Sequence, residues 1–185
     1  QLYVQEDRAG AEPKALDLAF ESKSAAEWMA DSRRAIFVAP RQADTHPDRL
    51  RGENILATID ADTGARTVFA AAADWSYGNP APSPDGRWVA FTFTTGGPFS
   101  FSLPKIALQP VAGGEPTIVT ATLDRSAGPP RWDTRSASLY FTAPSSGRFP
   151  LYRVLIEGQG ADVLTWQAGW GIRDFDVGPA GLVQV

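Results

Sequence analysis

The sequence predicts an all-β fold assembled from repeated four-stranded antiparallel sheets. The first observation is internal repetition, since residues 74–92 match residues 124–142 at a constant offset of 50 with six identities. The second is that short runs rich in Val, Ile, Phe, Tyr, Trp and Thr alternate with clusters of Gly, Pro, Asp and Ser, as strands and turns do. The third is that the strands at 87–93 and 138–142 are apolar on both faces, which predicts sheets covered on both sides.

The repeat extends beyond this pair of segments. The identical positions are Asp74 and Asp124, Ser76 and Ser126, Gly78 and Gly128, Pro80 and Pro130, Phe91 and Phe141, and Thr92 and Thr142. Residues 26–38 fit the same frame at an offset of 54, and residues 175–185 form a weaker copy with a Gly-Pro-x-Gly turn. Each full copy continues into two further runs joined by a Gly-containing turn, as at Asp62–Gly64, which completes a four-stranded unit.

Four-stranded units of about 40–50 residues that stack face to face are typical of a β-propeller. The expected organisation is a half blade over 1–17, blades over 26–69, 74–119 and 124–165, and a half blade over 172–185. The two halves could pair to complete a fourth blade, or the chain could be an excerpt of a larger propeller, and we favour the excerpt. Helical propensity near residues 20–30 is overridden by the repeat.

Composition excludes several classes of protein. The 185 residues are 43% hydrophobic, 11% aromatic and 21% charged, which indicates a globular protein rather than a disordered one. A net charge of −4 argues against nucleic-acid binding, and no run approaches the ~18 apolar residues of a membrane helix. With no cysteine and one histidine, we expect no metal site and no cofactor. Asp60–Gly64 resembles the start of a calcium loop, but a hairpin turn explains the same residues.

Two segments resemble a known family. Residues 82–91, PSPDGRWVAF, resemble the W-S-P-D-G-(K/R)-x-(I/V)-A-F repeat of propellers in Tol-system periplasmic proteins and in the N-terminal domains of the prolyl-oligopeptidase family. Residues 123–154 are similar to a blade of the acylaminoacyl-peptidase and dipeptidyl-peptidase branch of that family. The chain departs from the repeat at Pro82, where the family has Trp, and at the turns Met29–Ser32 and Asp133–Ser136.

The resemblance implies a propeller that covers an α/β-hydrolase domain and admits peptides to its Ser-Asp-His triad. The 185 residues contain no Gly-x-Ser-x-Gly, and the only histidine, His46, lies in a polar loop, so we expect no peptidase activity from this chain alone. The implied partners are a hydrolase domain of the same polypeptide and peptide substrates. The alternative is a Tol-like propeller that binds a protein and catalyses nothing. Cytoplasmic and periplasmic or secreted locations both stay open.

Aromatic and charged residues in the loops between blades are the candidate site. These side chains are predicted to line a substrate channel or a domain interface: Trp75, Tyr77, Asp124, Arg125, Trp170 and Arg173. The alternative is that they pack against the neighbouring blade. No catalytic residue and no metal ligand is predicted.

Overall fold

The computed structural model describes residues 2–5, 10–16, 26–41, 53–96, 101–156, 164–166, 172, 175–178 and 181–184. Within these ranges the chain forms strands, turns and irregular segments and no helix, so the all-β prediction is confirmed. Residues 17–25, which include most of the segment with helical propensity, lie outside the described ranges, and Glu27–Trp28 is a strand.

The described ranges contain sixteen strands, which are numbered in chain order. They are β1 (Leu2–Val4), β2 (Lys14–Leu16), β3 (Glu27–Trp28), β4 (Arg34–Pro40), β5 (Asn54–Asp60), β6 (Arg66–Ala70), β7 (Trp75–Pro82), β8 (Trp88–Thr95), β9 (Lys105–Pro110), β10 (Thr117–Ile118), β11 (Arg131–Trp132), β12 (Ser138–Thr142), β13 (Leu151–Leu155), β14 (Leu164–Trp166), β15 (Phe175–Gly178) and β16 (Gly181–Gln184).

The strands form three antiparallel meanders of four and two hairpins of two. The four-stranded sheets are β3–β4–β5–β6, β7–β8–β9–β10 and β11–β12–β13–β14, and each follows chain order. The hairpins β1–β2 and β15–β16 remain separate two-stranded sheets, so these two halves do not pair with each other. Three blades with half blades on either side are the arrangement predicted from the repeat.

The central sheet is buried on both faces because its alternate side chains enter two different cores. On β8, Val89 and Phe91 pack with the preceding sheet, and Ala90 packs with the following one. Phe91 is fully buried, and its counterpart Phe141 on β12 is fully buried in the core between the second and third sheets. Full burial of each such ring contributes about 1.5–3 kcal/mol to the free energy of unfolding. Apolar packing between neighbouring blades therefore contributes strongly to the stability of the stack.

The repeated Gly–Thr identities have a steric cause. A Cβ added at Gly78 would lie 3.0 Å from Thr92 Oγ1. At the equivalent place, a Cβ added at Gly128 would lie 2.9 Å from the carbonyl oxygen of Thr142 and 3.0 Å from its Oγ1. A side chain at Gly128 would meet the backbone of the second strand, whereas one at Gly78 would meet only the end of the Thr92 side chain. The offset of 50 in the sequence therefore places each glycine against the equivalent threonine of the second strand.

The turn between the first and second strands has one geometry in all three blades. Met29–Ser32, Ser83–Gly86 and Asp133–Ser136 each close with a hydrogen bond from the fourth N–H to the first carbonyl, at 3.0, 2.9 and 3.1 Å. The fourth residue is left-handed in each, with φ of 53° at Ser32, 72° at Gly86 and 58° at Ser136. Ser-Pro-Asp-Gly has therefore been replaced in two blades without loss of the turn it makes.

The first of these turns also contains a carboxylate that caps the following strand. Asp31 Oδ1 accepts hydrogen bonds from the N–H groups of Arg33 and Arg34 at 3.0 and 2.9 Å, and Oδ2 pairs with the Arg34 guanidinium at 2.7 Å. Burial by itself would raise the pKa of Asp31, but these bonds outweigh it and lower the pKa to about 2.

Candidate channel site

The first strands of the three blades and of the second hairpin border one cavity. It has a volume of about 410 Å³ and is lined by residues of or beside β3, β7, β11 and β15. Strand β3 packs beside β7, and β11 packs beside β15. Among the described strands, β3, β7, β11 and β15 each pair with one neighbour only, and residues of all four line the cavity. This is the place in the described fold where all four units contribute to a single concave surface.

Proline dominates the wall of this cavity. The five prolines that line it are Pro80, Pro82, Pro84, Pro129 and Pro130. Proline has no N–H, and within a sheet it is tolerated chiefly at an unpaired edge. The pairing of β7 with β8 shifts register between Gly78 and Ala81, and Asn79 in this bulge has a left-handed φ of 47°. The inner edge of β7 is therefore poorly suited to accept a further strand.

Three charged residues stand on the same wall. Glu27, Arg131 and Asp176 lie on β3, β11 and β15, respectively. Arg131 Nη1 lies 3.5 Å from Asp176 Oδ1, and the guanidinium carbon is 5.7 Å from the centre of the Phe175 ring. The Arg131 and Asp176 side chains are 45% and 78% exposed, so solvent screens this ion pair and it contributes little to stability.

Two tryptophans occupy the same repeat position but have different environments. Trp132 is 8% exposed, and its Nε1 donates a 2.8 Å hydrogen bond to the carbonyl of Ala81 in the preceding blade. Trp28 holds the equivalent place on β3 and is 51% exposed at the cavity. The first ring closes an interface between blades, whereas the second leaves apolar surface open to the cavity.

The predicted site residues on β7 pack inside the protein. Trp75 stacks on Phe93 with centroids 3.8 Å apart and an angle of 9° between the rings. Tyr77 is 3% exposed, and its hydroxyl accepts a 2.9 Å hydrogen bond from the N–H of Ala72. Burial raises the pKa of Tyr77, although the Ala72 N–H and the charge of Arg41 act in the opposite direction. Tyr77 belongs to the core shared by the first and second sheets, and Trp75 packs against it.

The other predicted residues belong to a different loop. Asp124 Oδ1 accepts a 2.9 Å hydrogen bond from Nε of Arg125, which lowers the pKa of Asp124, and Arg125 also donates to the carbonyl of Pro144 at 3.3 Å. Trp170 and Arg173 lie outside the described residues. Since Trp75 begins β7 and the cavity contacts that strand from residue 79 onward, the predicted cluster and the cavity lie toward opposite ends of the strand. The role predicted for the cluster stays a prediction.

The cavity residues were not among the predicted site residues, yet the sequence carries a signal for them. Pro80 and Pro82 lie two residues apart in a run that is otherwise typical of a strand. Pro130 is the counterpart of Pro80 in the next copy of the repeat. Proline inside a strand marks an edge, and the free edge of an innermost blade strand faces the centre of a propeller. Glu27, Arg131 and Asp176 occupy the same position of the repeat, two residues before the turn, so the repeat frame could have placed them together although their residue types differ.

The segment that resembles a calcium loop is a hairpin turn. Asp60 Oδ1 accepts hydrogen bonds from the Asp62 and Thr63 N–H groups and from the Thr63 hydroxyl, at 3.1, 2.8 and 3.0 Å, and Oδ2 pairs with Arg33 at 2.7 Å. Gly64 closes the turn with φ of 72°. Across the part of the chain that the structure describes, no three His, Cys, Asp or Glu side chains are grouped as a metal site would need.

Within those same ranges, nothing helical has the length and apolar character needed to cross a lipid bilayer. His46 and the fragment Gly169–Gly171 lie outside the described residues.

The comparisons with known proteins identify the fold. No family model matches the chain, and no curated protein matches it. Among solved structures, TolB from Acinetobacter baumannii is 18% identical with a TM-score of 0.66, over 94% of this chain and 40% of that one. A Mycobacterium tuberculosis puromycin-hydrolyzing peptidase is 19% identical with a TM-score of 0.60, over 86% and 27% of the two chains. The β-propeller domain of the Trilobed protease from Pyrococcus furiosus, which has an open velcro topology, is 15% identical with a TM-score of 0.62, over 92% and 46%.

These likenesses confirm the predicted β-propeller, which is shared with TolB-like proteins and with the propeller domains of prolyl-oligopeptidase-family peptidases. The chain spans less than half the length of each of these three structures.

Proposed function

We propose that this chain is the non-catalytic propeller portion of a prolyl-oligopeptidase-family serine peptidase, in which it gates the access of peptides to a hydrolase domain. The blade limits 26–69, 74–119 and 124–165 are part of the proposal. The sequence likeness at residues 82–91 and 123–154 supports it, and so does the similarity of the fold to propellers of peptidases. The chemistry would reside in the hydrolase domain, and residues 1–185 would act by steric selection.

The observation that carries the proposal is the proline-lined cavity between the innermost strands. An extended peptide passing along an open sheet edge can be captured as an additional strand, because the edge offers it both N–H and C=O groups. Prolines at Pro80, Pro82 and Pro130 remove donors from that edge. An edge of this kind is a poor template for an added strand, so it does not capture an extended peptide along its backbone.

The alternative function is a Tol-like propeller that binds a protein partner and has no enzymatic activity. The similarity to TolB, over 94% of this chain, favours it as the second candidate. The two functions differ in what else the natural polypeptide contains, and therefore in whether it carries an activated serine.

The test is fluorophosphonate labelling of the product of the complete reading frame, together with turnover of a ten-residue peptide and of a folded protein that carries the same ten residues in a loop. We expect one labelled serine outside residues 1–185, cleavage of the peptide, and little cleavage of the folded protein. A complete protein without a reactive serine overturns the peptidase proposal and favours the Tol-like one.

Gating by the cavity has its own test. Because residues 1–185 contain no cysteine, Pro84→Cys at the cavity can be labelled with a bulky maleimide, and Glu115→Cys, an exposed residue away from the cavity, provides the matched control. The labelled cavity variant should lose kcat/KM for the peptide, while the labelled control keeps it. Equal turnover by the two labelled proteins would show that peptides do not enter by this route.

A further inference from the structure

We propose that the cavity between the innermost strands is selective for a basic peptide side chain, an ammonium or a guanidinium, over neutral and acidic ones. This inference deepens the proposed gating function and rests on it for the identity of the ligand as a peptide. The argument depends on the balance of hydrogen-bond acceptors and donors on the wall, on its charge, and on one exposed ring.

The wall has few N–H donors for its size. Five of its residues are prolines, which have no N–H. Glu27 contributes a carboxylate, and among the described residues no hydrogen bond or ion pair occupies it. The exposed amide of Asn79 donates one Nδ2 hydrogen to Thr92 Oγ1 at 2.9 Å, which leaves its carbonyl oxygen and its second Nδ2 hydrogen available to a ligand.

Two side-chain donors on the same wall have partners inside the protein. Trp132 Nε1 donates to the carbonyl of Ala81 at 2.8 Å. The guanidinium of Arg131 is engaged by Asp176 at 3.5 Å and by the ring of Phe175. A carboxylate ligand would compete with Asp176 for Arg131, whereas a ligand that brings donors meets the carboxylate of Glu27 without displacing an internal bond.

Charge and the exposed ring favour the same ligand. Two carboxylates, Glu27 and Asp176, stand against the single guanidinium of Arg131, so the described wall has one excess negative charge. The half-exposed ring of Trp28 lines the same cavity and offers a π-face that attracts ammonium and guanidinium groups.

The experiment measures binding of four heptapeptides to the 185-residue chain by calorimetry at low and moderate salt. Three are capped at both ends, are built from Gly and Ala, and carry a central Lys, norleucine or Glu, and the fourth is the norleucine peptide with a free N-terminus. We expect the Lys peptide to bind about three- to ten-fold more tightly than the capped norleucine peptide, and the difference to shrink at higher salt. Equal binding of the three capped peptides overturns the proposal, as does preference for Glu or binding of the uncapped peptide alone.

Two exposed carboxylates give a matched pair of variants. Glu27→Gln should reduce the affinity for the Lys peptide about three-fold and leave the norleucine peptide unchanged. Glu115→Gln removes the same charge away from the cavity and should change neither. If both substitutions weaken binding of the Lys peptide equally, the preference reflects the net charge of the chain, and the proposed site is wrong.

The outcome separates this inference from the gating function. A Lys preference in a protein whose complete reading frame has no reactive serine keeps the cavity site and removes the peptidase. A reactive serine together with no Lys preference keeps the peptidase and removes the cavity site.

Discussion

Replacement of Gly128 by Ala tests whether the close approach of the first two strands sets the repeat. The added Cβ would lie 2.9 Å from the backbone oxygen of Thr142 and 3.0 Å from its Oγ1. A backbone oxygen within a paired strand moves only if the strand moves, so the substitution overpacks the site. We expect a loss of about 2 kcal/mol in the free energy of unfolding, which for a chain of this length lowers Tm by about 4–8 °C.

Gly78→Ala is the matched substitution in the preceding blade. There the contact at 3.0 Å is with the Thr92 hydroxyl rather than with backbone. Removing that hydroxyl by Thr92→Ala should relieve the clash, so the double variant should be more stable than additivity of the single changes predicts. The corresponding Thr142→Ala should rescue Gly128→Ala only in part, since the backbone oxygen stays in place.

Urea unfolding followed by tryptophan fluorescence measures all of these variants, because the chain has six tryptophans. The reasoning fails if Gly128→Ala is as stable as the parent chain, or if Thr142→Ala restores it as fully as Thr92→Ala restores Gly78→Ala. Either result would mean that the repeated glycines are retained for a reason other than backbone contact.

Three further predictions concern the tryptophans and the first turn. Trp132→Phe should cost about 1–2 kcal/mol in unfolding free energy through loss of its bond to the neighbouring blade, whereas Trp28→Phe, at the equivalent but exposed position, should cost little. Ser32→Gly should raise stability by about 0.5 kcal/mol because it relieves a left-handed residue at φ 53°, and Ser32→Val should lower it, both measurable as shifts of the urea midpoint. The pKa of Asp31 is lowered to about 2. Its contribution to stability is therefore present above the unfolded-state pKa of about 3.9 and is lost as pH falls toward 2. Asp31→Asn should flatten the dependence of the unfolding free energy on pH between these values, and an unchanged dependence would contradict the role given to Asp31.

The pattern of core burial could be read from the sequence because neighbouring side chains on a strand enter opposite faces. The run around Phe91 is apolar at successive positions, and a sheet with one wet face would have alternated. The structure places Val89 and Phe91 in one core and Ala90 in the other. The turns are harder to predict from their residues, because Met29–Ser32 keeps the turn geometry without the usual Pro or Gly.

The candidate site could be predicted only in part. Tyr77 belongs to a connecting region by its place in the repeat, but its ring enters the core between two blades and its hydroxyl is used within the protein. The exposed Trp28 reads as blade packing because it aligns with Trp132. The structure covers Trp132 against the preceding blade, where its Nε1 donates to the Ala81 carbonyl, and leaves Trp28 51% exposed, a difference that the aligned residues do not show.

Local chemistry is enough to specify the modules of this protein. These local features depend on residues close in sequence or on a constant spacing between copies, so they can be predicted from the sequence. They are the short strands that are apolar on both faces, the left-handed turn positions, and the glycines opposite threonines. The cavity is different, because Glu27, Arg131 and Asp176 share one repeat position but differ in charge, and only the stacking of the sheets brings them to a common wall where these charges meet. Packing between modules, which has no local signature, brings these groups together and determines which aromatic rings are covered.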